Sequence, residues 1–95
     1  MNSWTPAHTA YTFCIGLCEQ LDLPCHYKLN DKSRKLFNLL MWDNYLPTFD
    51  EFATALSFIF DRRMDFTNEE EKTKAQSKLI DWYIRMEKKY ANQQQ

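Results

Sequence analysis

All three cysteines of the chain and one of its two histidines fall within FCIGLCEQLDLPCH, Phe13 to His26. Cysteine and histidine are the side chains that hold zinc, form redox pairs and serve as nucleophile and base. Zinc asks for four N or S ligands in a tetrahedron. Cys14 and Cys18 stand one helical turn apart and could share a metal, with Cys25 and His26 completing the set and His8 in reserve. Against this, Cys25 and His26 are adjacent, so their side chains diverge, and no second closely spaced pair supports the site. A disulfide between Cys14 and Cys18 is poorly placed, because positions i and i+4 of a regular helix do not present the required geometry. Cys25 and His26 as nucleophile and base lack an orienting third group and an oxyanion element. Periodicity favours another reading. Cys14 and Cys18 fall at the centre of an apolar helix face, where free cysteine behaves as a small buried hydrophobe. Core thiols are therefore favoured over zinc; only Cys25 and His26, beyond the helix stop and outside the periodicity, are left with a chance of being accessible, and whether Cys25 is exposed stays an open question of the sequence.

The rest of the chain offers less. Glu69, Glu70 and Glu71 fit the start of a helix, whose N-terminus favours carboxylates, better than a metal site. A single glycine, Gly16, leaves no room for a Gly-rich phosphate loop. With no nucleophile, base and orienting group in one constellation, the chain reads as a non-enzyme with no catalytic residue, cofactor or metal.

The elements that would position these residues are helices. No Asn-Gly or Asp-Gly pair is present to make the favoured hairpin turns. Thr5-Pro6 is a helix start, with a capping hydroxyl and Pro in the first turn. The periodicity predicts helices over about 6–21, 31–45, 49–63 and 68–90, with 91–95 a frayed tail. Asp22–Pro24 stops the first and Pro47 breaks the second. TFDE (Thr48–Glu51) and TNEE (Thr67–Glu70) read as capping boxes ahead of the third and fourth. Leu23–Leu29 carries no period and is left unassigned. The fold class is all-α: a compact four-helix bundle or an irregular small helical domain, with residues 1–95 one domain.

Helix faces separate what a core would take from what is left over. At about 100° per residue, Ala7, Ala10, Tyr11, Phe13, Cys14, Ile15, Leu17, Cys18 and Leu21 cover half the first helix. The other half holds His8, Thr9, Thr12, Gly16, Glu19 and Gln20, where Gly16 either admits a close neighbour or is solvated. Leu36, Phe37, Leu40 and Met41 stripe the second helix. Phe49, Phe52, Ala53, Leu56, Ile59, Phe60 and Met64 stripe the third, and Ala75, Leu79, Trp82, Tyr83, Met86 and Tyr90 the fourth. Leu39, Trp42, Phe58, Ile80 and Ile84 lie off these stripes. Either they pack on second faces, or they form an interface, where Trp and other aromatics are enriched.

Charge is zoned more than it is unbalanced. The net charge of −1 lacks the basic excess of a dedicated nucleic-acid binder. Lys28, Lys32, Arg34 and Lys35 nevertheless cluster around the start of the second helix, and Lys74, Lys78, Arg85 and Lys89 share one side of the fourth. Leu36 to Asp61 carries Asp43, Asp50, Glu51 and Asp61 and no base. The third helix is too apolar for a recognition helix, which reads bases with Arg, Asn, Gln or Lys. Complementary zones suit pairing with another protein or with a second copy.

The leading expectation is a small protein–protein interaction module, an adaptor, inhibitor or homodimer, with Leu39, Trp42, Phe58, Ile80 and Ile84 at its interface. The alternative is a nucleic-acid-binding helical domain using Lys32, Arg34, Lys35, Lys74, Lys78, Arg85 and Lys89. A zinc-stabilised domain comes third. No apolar run reaches the ~18 residues of a membrane span, and MNSWTPAH lacks the pattern of a secretory signal. Three cysteines cannot pair off within one chain. The expected setting is the cytoplasm, with reduced thiols and no membrane partner.

Overall fold

The computed structural model describes residues 5–62 and 64–93. Among them the chain is all-α, with helices α1 (Pro6–Gln20), α2 (Asp31–Trp42), α3 (Phe49–Arg62) and α4 (Glu69–Gln93). The expected end of the third helix at Arg63 and the last two residues of the tail lie outside the described residues. The chain forms two units, Met1–Asp65 with α1 to α3 and Phe66–Gln95 with α4. No described helix is long and apolar enough to cross a membrane.

Each helix start is held by a side chain that accepts an otherwise unpaired amide. Thr5 Oγ1 accepts from the His8 N–H at 3.1 Å and Asn30 Oδ1 from the Ser33 N–H at 2.8 Å. The TFDE box closes reciprocally. Glu51 N–H donates to Thr48 Oγ1 at 3.2 Å, and Thr48 N–H donates to Glu51 Oε1 at 3.1 Å. The TNEE box does not form as expected. The cap of α4 is Asn68, whose Oδ1 accepts from Glu71 N–H at 2.8 Å, while Thr67 Oγ1 donates to the Glu71 carboxylate at 2.7 Å. Asn is as good a cap as Thr, so the helix starts one residue later.

The helix ends correct two further expectations. α2 stops at Trp42, short of Tyr45, because Asn44 turns left-handed (φ 55°). Tyr45 N–H then donates to Leu40 O at 2.9 Å and Asn44 N–H to Met41 O at 3.2 Å. α1 ends in the same way: Asp22 has φ 56°, Leu23 N–H reaches Cys18 O at 2.8 Å, and Asp22 N–H reaches Glu19 O at 3.2 Å. Both are Schellman ends, with Asp and Asn where glycine is commonest. α4 runs through Ala91 to Gln93 rather than fraying after Tyr90, since nothing there breaks a helix.

Helix α1 is the centre of its unit. Both α2 and α3 pack on it, and Thr12 and Gly16, expected on its polar half, are buried together with Phe13, Cys14, Leu17 and Cys18. Gly16 admits α2. A Cβ there would stand 2.3 Å from the Phe37 ring, so the ring lies where only a glycine lets it. Phe37 also meets Phe13, ring centroids 6.1 Å apart. From α3, Phe52, Ala55, Leu56, Ile59 and Phe60 are buried. Phe49, expected in that stripe, is exposed at the first helical position.

The connection Leu21–Asn30 is shaped by Glu19. Its Oε2 accepts from Leu29 N–H at 2.8 Å, and its Oε1 from Arg34 Nη2 at 3.0 Å. Arg34 Nη2 also lies 3.3 Å from Leu29 O. Burial pushes the Glu19 carboxyl up, but these hydrogen bonds and the charges of Arg34 and Lys28 outweigh it, so its pKa lies below the ordinary value. At its other end the connection meets the segment after α3. Cys25 and Met64 form an isolated antiparallel bridge, and Asp65 N–H donates to Pro24 O at 3.1 Å. Along α4, Ala75, Leu79 and Tyr83 are the buried positions, at the four-residue spacing of one helical stripe.

Candidate interaction site

The cysteines belong to the core. All three are free and buried, Cys25 included at 7% exposure, which answers the question its place beyond the helix stop left open. Its backbone pairs with Met64 in the isolated bridge, while His26 next to it is exposed. Burial pushes the Cys18 thiol up to about 12, with the neighbouring Cys25 and Glu19 adding to the rise and Lys28 opposing it. Burial, then Cys18, raises the Cys14 thiol as well, and its Sγ lies 3.9 Å from Phe52 O. A raised pKa suppresses the thiolate that does chemistry or holds a metal. Among the described residues no three His, Cys, Asp or Glu side chains are placed to hold a metal ion, so Cys14, Cys18, Cys25 and His26 are not gathered into one.

The residues left off the helix stripes fare differently. Trp42 is 84% exposed, Leu39 54%, Ile84 40% and Phe58 39%; Ile80 is half-buried. Leu39 and Trp42 continue a line begun by Lys32 and Lys35 at steps of three and four along α2, so the four share one exposed stripe.

Phe58 belongs to a groove between α1 and α3. Pro6, Ala7 and Tyr11 line it from α1, and Asp50, Glu51, Thr54, Ala55 and Phe58 from α3. Tyr27, on the Leu21–Asn30 connection, adds to the wall, and the space is about 700 Å³. The rings brace one another edge to face, Tyr11 against Phe58 at 5.6 Å and against Tyr27 at 6.3 Å between centroids. The Arg62 guanidinium lies 5.1 Å from the Phe58 ring centroid. The polar residues of the groove are Thr54, the two tyrosines with their hydroxyls, and Asp50 and Glu51, whose carboxylates sit in the first turn of α3 as its dipole favours. A smaller depression of about 340 Å³ shares Tyr11 and Tyr27 and is lined by both histidines, His8 and His26.

Tyr27, Tyr11 and Ala7 were not among the expected interface residues. Tyr27 lies in the stretch without periodicity, and Ala7 and Tyr11 counted as core because the apolar half of α1 includes them. The signal available was Tyr27 itself, a large ring amid polar neighbours, CHYKLN.

The basic residues divide. Arg34 holds Glu19, and Lys74 stands 3.7 Å from Glu70 across one helical turn. Lys35, Lys78, Arg85 and Lys89 are exposed, as is Lys32. No family model, curated protein or solved structure matches the chain.

Proposed function

We propose that this chain is a small protein–protein interaction module without catalytic activity, which binds another protein or a second copy of itself through the α1/α3 groove and the outer edge of α2. The observation that supports it most is the groove. Three braced aromatic rings leave an apolar space of about 700 Å³ on a small unit, within the range of roughly 300–1,000 Å³ typical of binding pockets. Trp42 and Leu39 supply a second exposed apolar feature of the kind that anchors interfaces. The groove takes apolar side chains, and its carboxylates favour basic neighbours over acidic ones.

The test is affinity capture from the native host with three baits: the native chain, Phe58→Asp and Trp42→Ala. A partner recovered by the native chain and lost with either variant, at unchanged helix content, is the expected outcome. If recovery is the same for all three baits, the module does not use these surfaces.

A further inference from the structure

We infer that the occupant of the α1/α3 groove is a second copy of this chain, which enters with the Leu39–Trp42 edge of its α2. The inference rests on the interaction-module reading and names its partner. The two surfaces are complementary in layout. The α2 stripe carries the ammonium groups of Lys32 and Lys35 at its start and the exposed indole of Trp42 at its end, with Leu39 between Lys35 and Trp42. The groove offers the converse: aromatic walls from Tyr11, Tyr27 and Phe58, and the Asp50 and Glu51 carboxylates among its lining. An indole seated among the rings puts a basic stripe beside an acidic margin, and that pairing sets the direction of entry. Tryptophan is the side chain most often found as a buried anchor in such contacts. The same charges disfavour an acidic segment as occupant.

Edge and groove are built from different residues, so a twofold axis brings them together twice, each edge in the other copy's groove, as one isologous interface. The dimer is closed, and each copy both gives and receives an anchor. A buried Trp contributes about 150–250 Å², whereas a standard interface buries about 800 Å² per partner. Reciprocal docking therefore gives a weak, concentration-dependent dimer that salt loosens.

Sedimentation of the full chain over a concentration series tests this. The expected result is a mass rising from monomer towards twice that value. Trp42→Ala, which removes the anchor, and Thr54→Trp, which fills the groove at an exposed position, should each weaken association about tenfold or more. Circular dichroism confirms that both variants retain the fold. Mixed together, the two variants should associate better than either alone, because one keeps its groove and the other its anchor. A monomer at every concentration, or a dimer indifferent to both substitutions, overturns the inference. The module reading fails by a different result, unchanged partner recovery by the Phe58 and Trp42 variants.

Discussion

Replacing Gly16 with alanine should destabilise the fold, although the same change in an exposed helix interior would stabilise it. Helix propensity alone favours alanine by about 0.5–1 kcal/mol. Packing reverses the sign. The new Cβ would stand 2.3 Å from Cδ1 and Cε1 of Phe37 and 2.7 Å from its Cγ. Carbon atoms in contact sit at about 3.5–4.0 Å, so the ring or the spacing of α1 and α2 must give by roughly 1 Å or more. The ring has little room to retreat, because it is buried and lies against Phe13, which is itself fully buried. Overpacking of this kind costs about 1–3 kcal/mol, and a clash this short belongs in the upper part of that range. Subtracting the propensity gain leaves a net loss of about 1–2 kcal/mol. Urea denaturation followed by tryptophan fluorescence measures it. Phe37→Leu supplies the control, since a smaller side chain frees the space. In that background Gly16→Ala should be neutral or stabilising, a coupling of about 1–3 kcal/mol between the two sites. The reasoning is refuted if Gly16→Ala raises stability in the native background, or has the same effect in both.

Glu19→Gln should weaken the fold at neutral pH and much less in acid. The carboxyl is held below its ordinary pKa in the folded chain, so its contribution is present above about pH 4.3 and is lost as pH falls through the lower folded value; paired denaturation curves at neutral and acidic pH check this. Thiol labelling of the folded protein at mild pH should find no fast-reacting cysteine among Cys14, Cys18 and Cys25, since all are buried, and labelling should appear with unfolding. Thr48→Ala removes the acceptor for Glu51 N–H at the start of α3 and should cost about 1 kcal/mol in thermal or urea denaturation. Asn44→Gly, at φ 55°, should be neutral or slightly stabilising by the same measurement, whereas Asn44→Ala should lose stability.

How legible was this in the residues alone? Helix starts were, wherever a side chain both caps and precedes a periodic run: Thr5 and Thr48 each accept the amide they were placed to accept, and the structure adds Asn30 at the start of α2. Helix ends were less so, because a left-handed turn at Asn44 depends on backbone geometry that asparagine permits without requiring. The surplus of apolar residues was also legible: periodicity separated Trp42, Leu39, Phe58 and Ile84 from the stripes, and all four are exposed. Periodicity failed where one helix is covered on two sides. Thr12 and Gly16 sit on the half of α1 that the pattern makes polar, yet both are buried, while His8 and Gln20 of the same half are exposed. It failed again for the groove, whose wall includes Tyr27 on a segment with no period and is completed only by tertiary packing.

The Glu19 clamp also gives the groove a clock. Tyr27 is carried by a connection whose shape depends on a carboxylate gripping the Leu29 amide from ten residues away. Opening of that grip should expose Leu29 N–H to solvent and leave Tyr27 to its contact with Tyr11. Hydrogen exchange at this one amide therefore reports how often the connection that carries Tyr27 loosens, and a bound occupant that holds Tyr27 in place should slow it.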